Sequence, residues 1–160
     1  MTDRKLNYKK LAPEPFAAQT ALEHAINTTS GFEPTLLEFV RLRVSQLNGC
    51  HYCIALHTHE LQKHHETADR ISQLAGWRDT DIYTQRERAA LAWAEAITNI
   101  QDGHALDAVF DQVREHFSDA ELVNLTWAIA SINAWNRMAI AFQAEYKPEK
   151  MRADEAAKVK

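Results

Sequence analysis

The sequence predicts an all-α protein, a compact bundle of about six to seven helices. Three observations carry this: apolar residues recur at spacings of three and four nearly throughout, strand-type alternation is absent, and only four Gly and four Pro punctuate 160 residues. With 46% of its residues hydrophobic, the chain is long enough to bury one core. A single domain over residues 1–160 is expected, with its core at about 14–146 and a polar tail at 147–160.

After an arm carrying Pro13 and Pro15, a first helix is expected at about 14–27, with Ala18, Leu22 and Ala25 inward and Gly31 past its end. Pro34 suits a first helical turn and opens the second helix, where Leu37, Val40, Val44 and Leu47 repeat until Asn48-Gly49 closes it. A third helix runs from about Cys50 to His64. A shorter one near 67–75 stops at Gly76-Trp77, and 78–83 reads as a polar linker with Asp79 and Asp81 as turn formers. Thr84 to Glu87 is a capping box opening a helix that buries Leu91, Ala94 and Ile97, and Asp102-Gly103 breaks it. Val109, Phe110, Val113 and Phe117 then make a short amphipathic helix.

A second capping box, Ser118 to Glu121, opens the last helix, which extends to about Phe142. It is apolar on most of its circumference, with Leu122, Leu125, Ile129, Ile132 and Ala139 on one stripe and Trp127, Trp135 and Ile140 elsewhere. Such a helix needs cover on more than one side, so a homo-oligomer is expected.

A formal charge of -4, from 18 basic and 22 acidic residues spread along the chain, offers no field for holding nucleic acid or an anionic membrane. The N-terminal residues Met1 to Leu6 lack the apolar stretch of a secretory signal, and no run approaches a membrane span, which points to the cytoplasm. The two cysteines lie three apart, at Cys50 and Cys53. In a reducing compartment such a pair is seldom a structural staple, so catalysis, redox sensing or metal binding must explain it.

At about 100° per residue, positions 50, 53 and 57 fall within roughly 60° of arc, so Cys50, Cys53 and His57 share one helix face, with Leu61 continuing it. Both sulfurs sit in the first turn, where unpaired amides and the helix dipole favour thiolate. His57, one turn after Cys53, can take its proton. Glu38, in the middle of the preceding helix, is the carboxylate that could orient and tune His57. Taken alone, Glu38 would more often be a solvated helix-face carboxylate. A zinc site from Cys50, Cys53, His57 and His59 or His64 stands as an alternative, although such sites usually draw their second ligand pair from a distant segment. Covalent haem needs His directly after the second Cys, where Ile54 stands. His24, His51, His59, His64, His65, His104 and His116 show no metal-ligand spacing, and most read as surface residues.

Glu38, eleven intervening residues, then Cys50-x-x-Cys53-x-x-x-His57 resembles the active-site signature of the AhpD-like alkylhydroperoxidases of the carboxymuconolactone decarboxylase superfamily. Three stretches are similar to its peroxidase-related branch: residues 48–53, Gly76-Trp77-Arg78 before residues 87–91, and residues 132–137. The resemblance spans roughly residues 35 to 142. It implies an all-helical fold, assembly into trimers or larger rings such as hexamers, and reduction of peroxide by a cysteine pair served by a Glu-His relay. One position departs from the family pattern: the best-described members place His immediately before the second Cys, where this chain has Tyr52, a neutral phenol.

The chemistry expected is attack of Cys53 thiolate on a hydroperoxide, with Cys50 resolving the sulfenic acid into a disulfide, His57 as base and acid, and Glu38 behind it. No metal, flavin or other cofactor is required. An external dithiol must reset the pair, and the resemblance allows a lipoyl-bearing protein in that role. Trp77, Trp93 and Trp135 could line a pocket for an organic peroxide, but core packing is the first reading of each. Two other functions use the same residues: a redox sensor that oxidises once and stops, and a lyase or isomerase using only His57 and Glu38.

Overall fold

The computed structural model describes residues 3–103 and 106–149. Among these residues it contains eight α-helices and no strand: α1 (Tyr8–Leu11), α2 (Pro13–Thr29), α3 (Pro34–Asn48), α4 (His51–Lys63), α5 (Ala68–Gln73), α6 (Gln85–Thr98), α7 (Leu106–Arg114) and α8 (Asp119–Ala141). The helix beyond the expected number is α1, a single turn in the N-terminal arm that Asn7 caps by accepting from the Lys10 N–H at 3.2 Å. The expected polar tail lies largely outside the described residues.

Helix α3 is the axis of the bundle, and α4, α6 and α8 pack around it. Its burial is continuous from Leu36 to Leu42, polar Glu38 and Arg41 included. On one side Val40 and Val44 meet Ala90 of α6 and Leu125 and Ile129 of α8; on another Phe39 and Leu42 meet Leu61, Leu74 and Leu91. Burying such side chains contributes about 1.5–3 kcal/mol each, which fixes α3 and whatever polar groups it carries.

The termini of α6 and α8 follow the sequence. Thr84 and Glu87, and Ser118 and Glu121, form the two reciprocal capping boxes. On α8, Leu122, Leu125, Ile129, Ile132 and Ala139 are all buried. Residues 74–79 form a 3-10 helix where a linker was expected from Arg78, because buried Trp77 donates its Nε1–H to Glu95 at 2.8 Å and so anchors the segment to α6.

Helix α2 differs from expectation in its phase. Leu22 packs against the core as expected, but Ala18 and Ala25 are exposed, and the inward stripe is Phe16, Gln19, Leu22, Glu23 and Ile26. The reason is polar: Gln19 Nε2 donates to Ser131 Oγ on α8 at 2.8 Å, and Ser131 Oγ donates to Glu23 Oε2 at 2.5 Å. Phe16 completes the contact, its ring meeting Trp135 edge-on with centroids 5.5 Å apart. None of the helices is long and apolar enough to cross a membrane, among the described residues.

Candidate active site

The chain reverses between α3 and α4 at Asn48-Gly49. Gly49 has φ +69, and no neighbour lies within 4 Å of where a Cβ would stand, so the left-handed backbone rather than space requires glycine there. The reversal lays α4 along α3 and leaves Cys50 as the N-cap of α4, its sulfur accepting the Cys53 N–H at 3.4 Å. Cys50 and Cys53 are in disulfide contact, with Cα atoms 5.4 Å apart. Both are buried against Ala139, with Tyr52 and Ala144 alongside.

One turn on, His57 Nδ1 lies 2.7 Å from Glu38 Oε2, both residues buried. Burial pushes the Glu38 carboxyl up, but the hydrogen bond and charge of His57, with Arg41 beside it, outweigh that and hold it below the usual 4.5. An ionised carboxylate only accepts. Nδ1 of His57 is therefore the donor in this bond, and when the ring is neutral Nε2 is the nitrogen open to a proton. Glu38 Oε1 accepts from Arg41 Nη1 at 2.6 Å, and Arg41 also pairs with Glu23 and donates from Nη2 to Asn27 Oδ1 at 2.6 Å.

Cys53, His57 and Glu38 open on one cavity of about 350 Å³, whereas Cys50 is not part of its lining. Its lining combines apolar side chains, Phe16, Leu56, Ile132 and Trp135, with charged ones, Glu23, Glu38, Arg41 and Glu60. Tyr8 and Lys9 stand on the α1 side, and Tyr52 sits between the cavity and Tyr146, whose ring it meets at 6.2 Å. A larger depression of about 500 Å³, lined by Trp93, Phe110 and Trp127 among others, lies elsewhere and contains no cysteine or histidine. Of the site residues expected from the sequence, Glu38, Cys53 and His57 line the smaller cavity and none lines the larger.

The four expected site residues, Glu38, Cys50, Cys53 and His57, are thus together in space. Of the three tryptophans, Trp135 lines the cavity, while Trp77 and Trp93 belong to the core. His51 is exposed. Among the described residues no group of three or more His, Cys, Asp or Glu side chains is disposed to hold a metal ion. Sequence reasoning missed Arg41 and Glu23. Arg41 had a readable signal, a charge three residues after Glu38 and flanked by apolar Val40 and Leu42; Glu23 had none.

The profile of the carboxymuconolactone decarboxylase family matches residues 13–96, more than half of the chain. The chain belongs to that family. It is 37% identical over 138 residues to the uncharacterized protein YdfG of Bacillus subtilis strain 168, a match covering 86% of this chain and 93% of that one. A solved Agrobacterium tumefaciens protein of unknown function, linked by name to the antioxidant defence protein AhpD, superposes with a TM-score of 0.86 at 38% identity, covering 91% of this chain and 99% of that one. An uncharacterized peroxidase-related protein from Ralstonia eutropha JMP134, described as an alkylhydroperoxidase AhpD core, gives a TM-score of 0.77 at 24% identity, covering 88% and 75%. That last likeness shows the fold alone. The fold is AhpD-like.

Proposed function

We propose that this chain is a cytoplasmic thiol-dependent peroxidase that reduces organic hydroperoxides through a reversible Cys50–Cys53 disulfide. The observation that carries the reading is the convergence of Cys53, His57 and Glu38 on one cavity, with Nδ1 of His57 held by Glu38 at 2.7 Å.

In the reduced protein His57 Nε2 removes the Cys53 thiol proton. The thiolate attacks the terminal oxygen of ROOH; the S–O bond forms as the O–O bond breaks, and RO⁻ leaves and takes the proton back from His57 as ROH. Cys50 then attacks the sulfenic sulfur, the S–S bond forms, and hydroxide leaves with the Cys50 proton as water. Sulfur is oxidised by two electrons and the peroxide reduced by two. An external dithiol returns both thiols through a mixed disulfide, and Cys53, the sulfur on the cavity, is where that exchange begins. The apolar part of the lining, with Phe16 against Trp135, suits an organic R group better than hydrogen peroxide.

Steady-state consumption of cumene hydroperoxide with dihydrolipoamide as reductant tests the reading. Turnover that continues while dithiol lasts, and is lost in Cys53→Ser, is expected. Oxidation that stops after one equivalent would replace the peroxidase with a redox sensor.

A further inference from the structure

Behind the relay lies a second set of charges that the steps above leave unused. Arg41 has a side chain only 6% exposed, yet it faces two carboxylates, Glu38 on its own helix and Glu23 on α2. A guanidinium out of water is costly unless its partners are well placed, and an apolar side chain would pack this position more simply. Nη1 and Nη2 have such partners, whereas the buried Nε has none among the described residues. Nη1 meets Glu38 Oε1 at 2.6 Å, Nη2 meets Asn27 Oδ1 at 2.6 Å, and Glu23 is itself held by Ser131 of α8. Glu23, Glu38 and Arg41 all line the cavity onto which Cys53 opens.

The charges alternate outward from His57: Glu38 negative, Arg41 positive, Glu23 negative. We propose that Arg41 and Glu23 are positioning residues that set the charge felt by the Cys53 sulfur. Arg41 occupies Oε1 of Glu38, which leaves Oε2 aimed at His57, and it offsets a carboxylate that would otherwise oppose a thiolate nearby. Glu23 limits how much of that positive charge reaches the cavity. The inference rests on the peroxidase reading for its purpose, but its test does not, because thiol alkylation needs no peroxide.

The two residues make opposite electrostatic contributions but share one packing contact. Loss of Arg41 leaves Glu38 and Glu23 without the cation between them and disfavours the thiolate; loss of the Glu23 charge leaves Arg41 less compensated and favours it. The other titratable groups lining the cavity are Lys9 and Tyr8 from α1, and Tyr52 and Glu60 from α4, with Tyr146 against Tyr52. They are common to every variant compared.

The experiment measures iodoacetamide alkylation rate against pH in reduced protein carrying Cys50→Ser, so that Cys53 alone reports. Arg41→Met should move the midpoint up by about one unit, Arg41→Lys should recover most of that, and Glu23→Gln should move it down by a few tenths of a unit, roughly. A packing role predicts shifts of one sign for Arg41→Met and Glu23→Gln, and that result, or unmoved midpoints, overturns the proposal. Should Arg41→Met fail to fold by circular dichroism, Glu23→Gln decides alone, and an unmoved or raised midpoint sinks the idea. Opposite shifts in a protein that consumes no peroxide would keep this charge set and overturn the peroxidase instead.

Discussion

Asn136 of α8 accepts a hydrogen bond from Asn48 Nδ2 at 2.8 Å, two residues before Cys50. Asn133 accepts from the same amide at 2.9 Å, and Asn136 Nδ2 donates to Ser45 Oγ at 3.1 Å. The turn that aims the cysteine helix is therefore pinned from across the bundle by residues 85 and 88 positions away. The stretch 132–137 accordingly serves the site twice, through its two asparagines at the turn and through Ile132 and Trp135 at the cavity.

Asn136 is fully buried, so Asn136→Ala leaves Ser45 and Asn48 short of a partner in the core. A loss of about 1–3 kcal/mol is expected. Urea unfolding would measure it, with Cys53 alkylation slowed at neutral pH as the turn relaxes. An unchanged unfolding midpoint would show that the amide is not holding the turn.

Acid stability should report on Glu38. Its folded-state pKa lies below the unfolded value of 4.5, so the carboxylate contributes stability that is fully present above 4.5 and is lost as pH falls through the depressed folded value. Glu38→Gln removes that contribution at every pH. The gap in unfolding free energy between wild type and Glu38→Gln should be widest above about pH 5 and narrow towards about pH 3. A gap constant with pH would mean that Glu38 acts through packing.

What could be read from the sequence was local or periodic. The capping boxes at Thr84 and Ser118 are four-residue patterns, and the α8 stripe from Leu122 to Ala139 follows from helix geometry alone. Glu38 and His57 could be paired because one glycine turn separates their helices. What could not be read depends on partners chosen in three dimensions. The phase of α2 is set by Ser131, 112 residues from Gln19 and 108 from Glu23, and Ala18 and Ala25 looked like better inward residues only because they are apolar. Trp77, Trp93 and Trp135 are alike in sequence, and only packing separates Trp135 at the cavity from Trp77 and Trp93 in the core.

The face of α8 away from the core exposes Val123 at 57% and Trp127 at 53%, beside Phe110 of α7. We propose that a second copy of the chain covers it, in line with the apolar circumference of this helix. Wild-type protein should sediment well above 18.3 kDa at micromolar concentration, and Trp127→Glu should lower the assembly state without loss of helical signal. A wild-type monomer would overturn this, as would an assembly that Trp127→Glu leaves intact.

The relay itself predicts coupled rather than separate losses. With Nδ1 of His57 bonded to Glu38 at 2.7 Å and the charge of Glu38 offset by Arg41, the carboxylate acts on Cys53 chiefly by orienting the ring and stabilising its charged form. His57→Ala should therefore raise the Cys53 thiol midpoint towards its reference near about 8.5 and slow both alkylation and peroxide attack at neutral pH. Higher pH should partly rescue the variant, since hydroxide can replace the missing base. Glu38→Gln should be harmful alone, yet add little in the His57→Ala background, because the group through which it acts is already gone. Alkylation rate against pH for the wild type, both single variants and the double variant measures this directly. Fully additive losses would return Glu38 to a carboxylate that merely shares a cavity with Cys53. An unmoved midpoint in His57→Ala would leave the N-terminus of α4, where the Cys50 sulfur already accepts the Cys53 N–H, as the source of thiolate stabilisation.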